Sequence, residues 1–93
     1  MSQLRVDLRR EERFPYLRTI MHVCIPDTDE ICKGVTIDIS RSGMSLYIFS
    51  PGGVCEGFHV RISDNMPLVS TSGVVRWVQQ VDQDLYRAGL QFQ

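Results

Sequence analysis

The sequence predicts an all-β domain of about six antiparallel strands, a barrel or a sandwich, with a flexible N-terminal arm and little helix. Three observations predict it. Apolar residues alternate with polar ones over short runs, and the runs recur at regular spacing, as in a barrel or sandwich. Each run ends in a cluster of Pro, Gly, Asp, Asn or Ser, residues that punctuate chains at turns. No helical period of useful length follows residue 16. The 93 residues have room for one domain. No linker, repeat or low-complexity segment divides them, so residues 1–16 are read as an arginine-rich arm and 17–93 as a single β domain.

The elements follow in order. In the arm, the Pro15 ring disfavours helix at Phe14 and should stop any helical turn over residues 8–13. Residues 17–25 form the first run, with Ile20, His22 and Cys24 on one side and Val23 and Ile25 on the other. It closes at Pro26-Asp27-Thr28-Asp29. Residues 32–40 place Val35, Ile37 and Ile39 on one face. A tight connection over 38–43 follows, where Gly43 can supply a positive φ. Met44, Leu46 and Ile48 then share a face, so the two runs form a hairpin. Ser50-Pro51-Gly52-Gly53 breaks the chain. Phe58, Val60 and Ile62 make a short strand. Asp64-Asn65-Met66-Pro67 turns into a long strand over 68–80, with a bulge or bend expected at Gly73. Asp82-Gln83-Asp84 turns into the last strand, which carries Tyr86, Ala88, Leu90 and Phe92.

Composition excludes several function classes. The net charge of −1 gives no basic field for a polynucleotide. The aromatics are scattered, with no basic groove that would mark a single-strand binder. No run approaches transmembrane length, and the first residues lack the apolar core of a secretory signal. Cytoplasmic location is the default expectation. Cys24, Cys32 and Cys55 are an odd set without Cys-x-x-Cys spacing. Cys24 and Cys32 have the spacing to face each other across a hairpin, but core thiols are the simpler reading. His22 lacks a second His at ligand spacing and is read as structural. His59 is read as a surface residue. Trp77 has a face on which a base could stack, but a core or barrel-mouth position is favoured. Neither Ser40 nor Ser42 has His and Asp partners, and no metal cluster or phosphate-cradling loop is visible, so an enzyme is the least favoured class.

Two constellations carry chemistry. Arg9-Arg10-Glu11-Glu12-Arg13 puts two guanidiniums four residues apart, able to close on one anion. Guanidinium suits phosphate oxygens and the O6/N7 edge of guanine. The plain alternative is a solvated, charge-mixed segment. Asp38-Ile39-Ser40-Arg41-Ser42-Gly43 sets a carboxylate and a hydroxyl two apart, on the same side of an extended strand. A carboxylate can accept from a guanine N–H edge. Here the plain alternative is a self-bonded turn.

Together these motifs resemble the PilZ domain family. Its signature is Arg-x-x-x-Arg near the N-terminus, then Asp/Asn-x-Ser-x-x-Gly; here Arg9-x-x-x-Arg13 precedes Asp38-x-Ser40-x-x-Gly43. Gly73-Val74-Val75-Arg76-Trp77 is similar to the family's Gly-x-Val strand, and Tyr86–Phe92 to its closing strand. The resemblance implies a six-stranded barrel that binds cyclic di-GMP on its outer surface, the arm wrapping over the ligand. Arg9 and Arg13 would then meet phosphates and guanine edges, with Arg10 as an added contact. Asp38 and Ser40 would hold guanine from the barrel side, and Gly43 would allow close approach. Arg18 is placed to share the role of Arg13, and Arg5 or Arg41 to serve a second ligand molecule. The family often ends in a helix over one barrel mouth. Here the chain stops at Gln93, so an apolar mouth open to self-association or a partner is expected.

The resulting expectation is a receptor or adaptor, not an enzyme. Its ligand orders the arm, and it signals through an effector protein, with motility and biofilm control as the family's settings. No cofactor beyond the ligand is expected. The alternative is a divergent interaction subunit that binds no nucleotide.

Overall fold

The computed structural model describes residues 11–62 and 72–93. Among them are seven strands: β1 (Arg13–Pro15), β2 (Thr19–Ile25), β3 (Glu30–Ser40), β4 (Gly43–Phe49), β5 (His59–Ile62), β6 (Ser72–Asp82) and β7 (Leu85–Phe92). No helix occurs among the described residues, and so none that could cross a membrane. The pairing order β3-β2-β5-β6-β7-β4 returns to β3 through a β3–β4 ladder. Six antiparallel strands therefore close into the expected barrel, which leaves few free edges. β1 lies beside the far end of β3, outside the closed ring. The sheet thus begins inside the segment read as the arm.

Where strands run without interruption, the inward face follows the sequence pattern. Met44, Leu46 and Ile48 of β4 are fully buried, as are Val60 of β5 and Ala88 of β7, with Ile62 and Leu90 nearly so. Phe58, Tyr86 and Phe92 pack on this core from its margins. Asp84, at φ 59°, turns β6 into β7, a conformation that Asp tolerates at turns.

Two strands depart from the expected faces, β2 through a bulge and β3 by turning its other face inward. The β2–β3 register shifts between Ile20 and Val23, so Ile20, Val23 and Ile25 all point inward. Cys24 is only half-buried, and His22 is exposed. In β3 the buried face is Cys32, Gly34 and Thr36, while Val35, Ile37 and Ile39 are half-buried. The apolar run had suggested the reverse. Thr36 is tolerated inside because its hydroxyl donates to the Tyr16 and Arg18 carbonyls, so its polar atom is satisfied. Gly34 belongs on this face because a Cβ there would stand 2.7 Å from the Tyr47 carbonyl oxygen. Val23, not Cys24, lies opposite Cys32, and all three cysteines are free. Only Cys32 is a core thiol, and burial pushes its pKa up.

Gly73 pairs in regular register with Val60 and Phe92. The β6 irregularities lie further on, between Val75 and Trp77 and between Gln80 and Asp82. The first turns Arg76 and Trp77 outward in succession. The expected turn at 64–67 and the start of the long strand at 68 lie outside the described residues.

Candidate functional site

The ends of β1 and β3 build the site. Antiparallel pairing sets Arg13 opposite Ser40 and Pro15 opposite Asp38. Arg13 donates to Asp38 Oδ1 from Nε at 3.0 Å and from Nη2 at 2.8 Å. Its Nη1 lies 3.4 Å from Ser40 Oγ. The β3–β4 hairpin brings Ser45 opposite Asp38, and its hydroxyl donates to the same Oδ1 at 2.8 Å. All three donors crowd one carboxylate oxygen, and Oδ2 receives none of them. Burial works against the Asp38 charge, but Arg13 and Ser45 outweigh it and hold the carboxyl below its ordinary range. The pair stays accessible, with 47% of the Arg13 side chain and 28% of the Asp38 side chain exposed.

The turn between β3 and β4 is fixed from both sides. Ser40 Oγ donates to the Gly43 carbonyl at 3.3 Å. Glu11 accepts from the Ser42 amide at 3.2 Å and from its hydroxyl at 2.7 Å, on Oε1 in both cases. The Ser40 and Ser42 hydroxyls, with the Ser42 amide, keep the Glu11 carboxyl below its usual range. Gly43 does not have a positive φ. Its missing Cβ serves the barrel instead, since a Cβ there would lie 2.0 Å from the Leu90 carbonyl oxygen on β7.

Cross-strand register extends this corner into a row on the outer surface. Asp38 faces Ser45, Ser45 faces Gly89, and Gly89 faces Trp77. The indole lies across Gly89, where a Cβ would meet its Nε1 at 2.0 Å. Trp77 is 43% exposed, so it belongs neither to the core nor to the mouth. The bulge before it turns the ring outward, and the bare backbone of Gly89 gives it a bed. The Arg87 guanidinium sits 5.9 Å from the ring centroid, at cation–π distance.

Of the residues singled out from sequence, Arg13, Asp38 and Ser40 come together, and Gly43 closes the turn behind them. Arg9 and Arg10 lie outside the described residues, as does Arg5. Arg18 donates to the Tyr16 hydroxyl at 3.3 Å rather than to the carboxylate. Glu11, Ser45, Trp77 and Arg87 complete the surroundings. Ser45 was findable as the serine of β4 that the hairpin sets opposite Asp38. Gly89 was findable as a glycine inside a strand, a sign of close approach. Among the described residues no group of His, Cys, Asp and Glu is placed to hold a metal.

A family model described as PilZ domain matches residues 7–93. No curated protein and no solved structure matches the chain.

Proposed function

This chain belongs to the PilZ domain family, and from that premise we propose that it is a receptor for cyclic di-GMP. Domains of this family bind and adapt rather than catalyse. The observation that most supports the reading is the contact between Arg13 and Asp38 across β1 and β3. The ligand is a dianion bearing two guanines. It needs guanidinium donors for its phosphates and a carboxylate acceptor for the N–H edge of a base. Asp38 Oδ2 offers that acceptor while Oδ1 stays held by Ser45. Arg13 can turn from Asp38 to a phosphate at little cost, because an exposed ion pair stabilises weakly. Trp77 offers its face to a base lying along the row from Asp38.

In this reading Arg9 and Arg10 supply further donors from the leading segment, and Ser40 and Gly43 shape the barrel side. Ligand occupancy orders that segment, and the altered surface is read by an effector protein. The test is titration calorimetry of the wild-type chain and of Arg13→Ala with cyclic di-GMP. Binding by the wild type, weakened by ~1.5–3 kcal/mol in the variant, is the range for loss of a charge-assisted hydrogen bond. Absence of heat at micromolar wild-type protein would reject the receptor and favour a family member that acts only through protein contacts.

A further inference from the structure

A pocket adjoins the β1 end of the site, and of its lining residues the sequence reading gives only Arg41 a ligand role. It is lined by Glu11, Glu12, Phe14 and Arg41, with a volume of about 310 Å³. That is the low end of small-molecule pockets, roughly 300–1,000 Å³, and suits one base rather than a whole dinucleotide. Phe14 is 56% exposed, an uncommon state for a phenyl ring on a short strand. Glu12 and Arg41 are exposed as well, and neither has a partner among the described residues beyond the field Arg41 exerts on Glu11. Glu11 is committed to the Ser42 amide and hydroxyl, and so ties residue 11 to the 41–42 bend. The pocket therefore has a fixed wall, one aromatic face, one open carboxylate and one open guanidinium.

This donor set is selective. A phosphate there would meet two carboxylates and be repelled. An adenine would turn its N1 acceptor toward Glu12. Guanine alone among the common bases presents adjacent N1–H and N2–H donors on one edge and O6 and N7 acceptors on the other. The first edge suits Glu12 and the second suits Arg41, with the ring plane on Phe14. We propose that the Glu12–Phe14–Arg41 pocket is a guanine subsite. It receives a guanine base other than the one that lies against Asp38. This rests on the cyclic di-GMP reading and deepens it: phosphates cross Arg13, and the two bases fall on either side. The base is the second one of the same molecule or belongs to a second molecule.

Calorimetry with the full chain separates the outcomes. Cyclic di-GMP and its inosine analogue, which lacks the exocyclic amine, are titrated into wild type, Phe14→Ala, Arg41→Ala and Glu12→Gln, with thermal melts to verify folding. Phe14→Ala and Arg41→Ala should each weaken cyclic di-GMP by about tenfold, the scale of one lost base stack. Glu12→Gln should narrow the preference for cyclic di-GMP over the inosine analogue. Weakening at constant stoichiometry assigns the base to the same molecule; a fall in stoichiometry assigns it to a second one. Arg41→Ala is on an exposed bend and keeps the test decisive if Phe14→Ala is misfolded. Wild-type affinity in folded Phe14→Ala and Arg41→Ala overturns the subsite and leaves the receptor standing. A wild type that binds no cyclic di-GMP overturns both.

Discussion

β3 carries a carboxylate near each end, and the two are held in different ways. At its start, Glu30 accepts from the Ser50 hydroxyl at 2.9 Å, the Thr28 hydroxyl at 3.3 Å and the Gly52 amide at 3.1 Å. Every one of these donors is neutral and close to a turn, and Ser50 is fully buried. At its other end, Asp38 accepts from one hydroxyl and from an arginine that is half in solvent. Glu30 ties the 26–29 and 50–53 turns to the barrel wall and has no exchangeable partner. Asp38 has one, and exchange is what a binding site requires. In the proposed receptor the same chemical group would thus serve architecture where its donors are fixed and recognition where one donor is exposed to solvent.

The largest expected effect breaks the architectural end. Glu30→Ala removes the charged acceptor shared by Ser50, Thr28 and Gly52. The Ser50 hydroxyl keeps the Gly53 carbonyl at 3.2 Å, and losing hydrogen bonds to a charged group costs about 1.5–3 kcal/mol. Urea unfolding should show it as a lower midpoint with an unchanged slope. The two ends of β3 lie roughly 25 Å apart at ~3.3 Å per residue, so affinity for cyclic di-GMP should stay within about twofold. Equal losses of stability and affinity would mean that the two carboxylates do not divide the work in this way.

Arg13→Ala should invert that pattern. The ion pair is exposed, so its removal should change stability by no more than ~1 kcal/mol. β1 has only three residues and pairs with β3 alone, so little else depends on it. The ligand affinity should fall far more. A variant that loses stability as Glu30→Ala does would assign Arg13 to architecture and remove it from the site.

How much of this was legible in the sequence depends on where the register slips. β4 and β7 pair with each other without interruption, and there alternation placed Met44, Leu46, Ile48, Ala88 and Leu90 inside. In β2 a shift brings Ile20 from one side of the sequence pattern and Val23 and Ile25 from the other into the core together. In β3 the inward row is Cys32, Gly34 and Thr36 rather than the apolar Val35, Ile37 and Ile39, already before its shift at 36–38. A bulge is one residue of extra backbone, and no side chain at 20–23 or 36–38 announces it. The pairing of Asp38 with Ser40 was readable because two residues on one strand share a side. Their tie to Arg13 rested on family resemblance, since 25 residues separate it from Asp38. Ser45, Gly89 and Trp77 join the row only through three cross-strand registers. The third of those, at Trp77, follows another unannounced bulge.

The smallest expected effect is a titration, and it sharpens the contrast from the side of Asp38. A free Asp titrates near ~3.9. Asp38 lies lower in the folded chain, so the folded state favours its ionised form. That stabilisation is fully present above the free value and is lost as pH falls through the folded one. Below it, Arg13 faces a neutral acid and its hold on β3 weakens, while Ser45 keeps an acceptor. Carbon-detected NMR of the Asp38 carboxyl should give a midpoint below that of free Asp, with the Arg13 Nε–H shift moving in step. In Arg13→Ala the Asp38 midpoint should rise, because burial then acts with only Ser45 opposing it. An unchanged midpoint would show that Ser45 alone sets the charge, and Asp38 would then be held by fixed neutral donors, as Glu30 is.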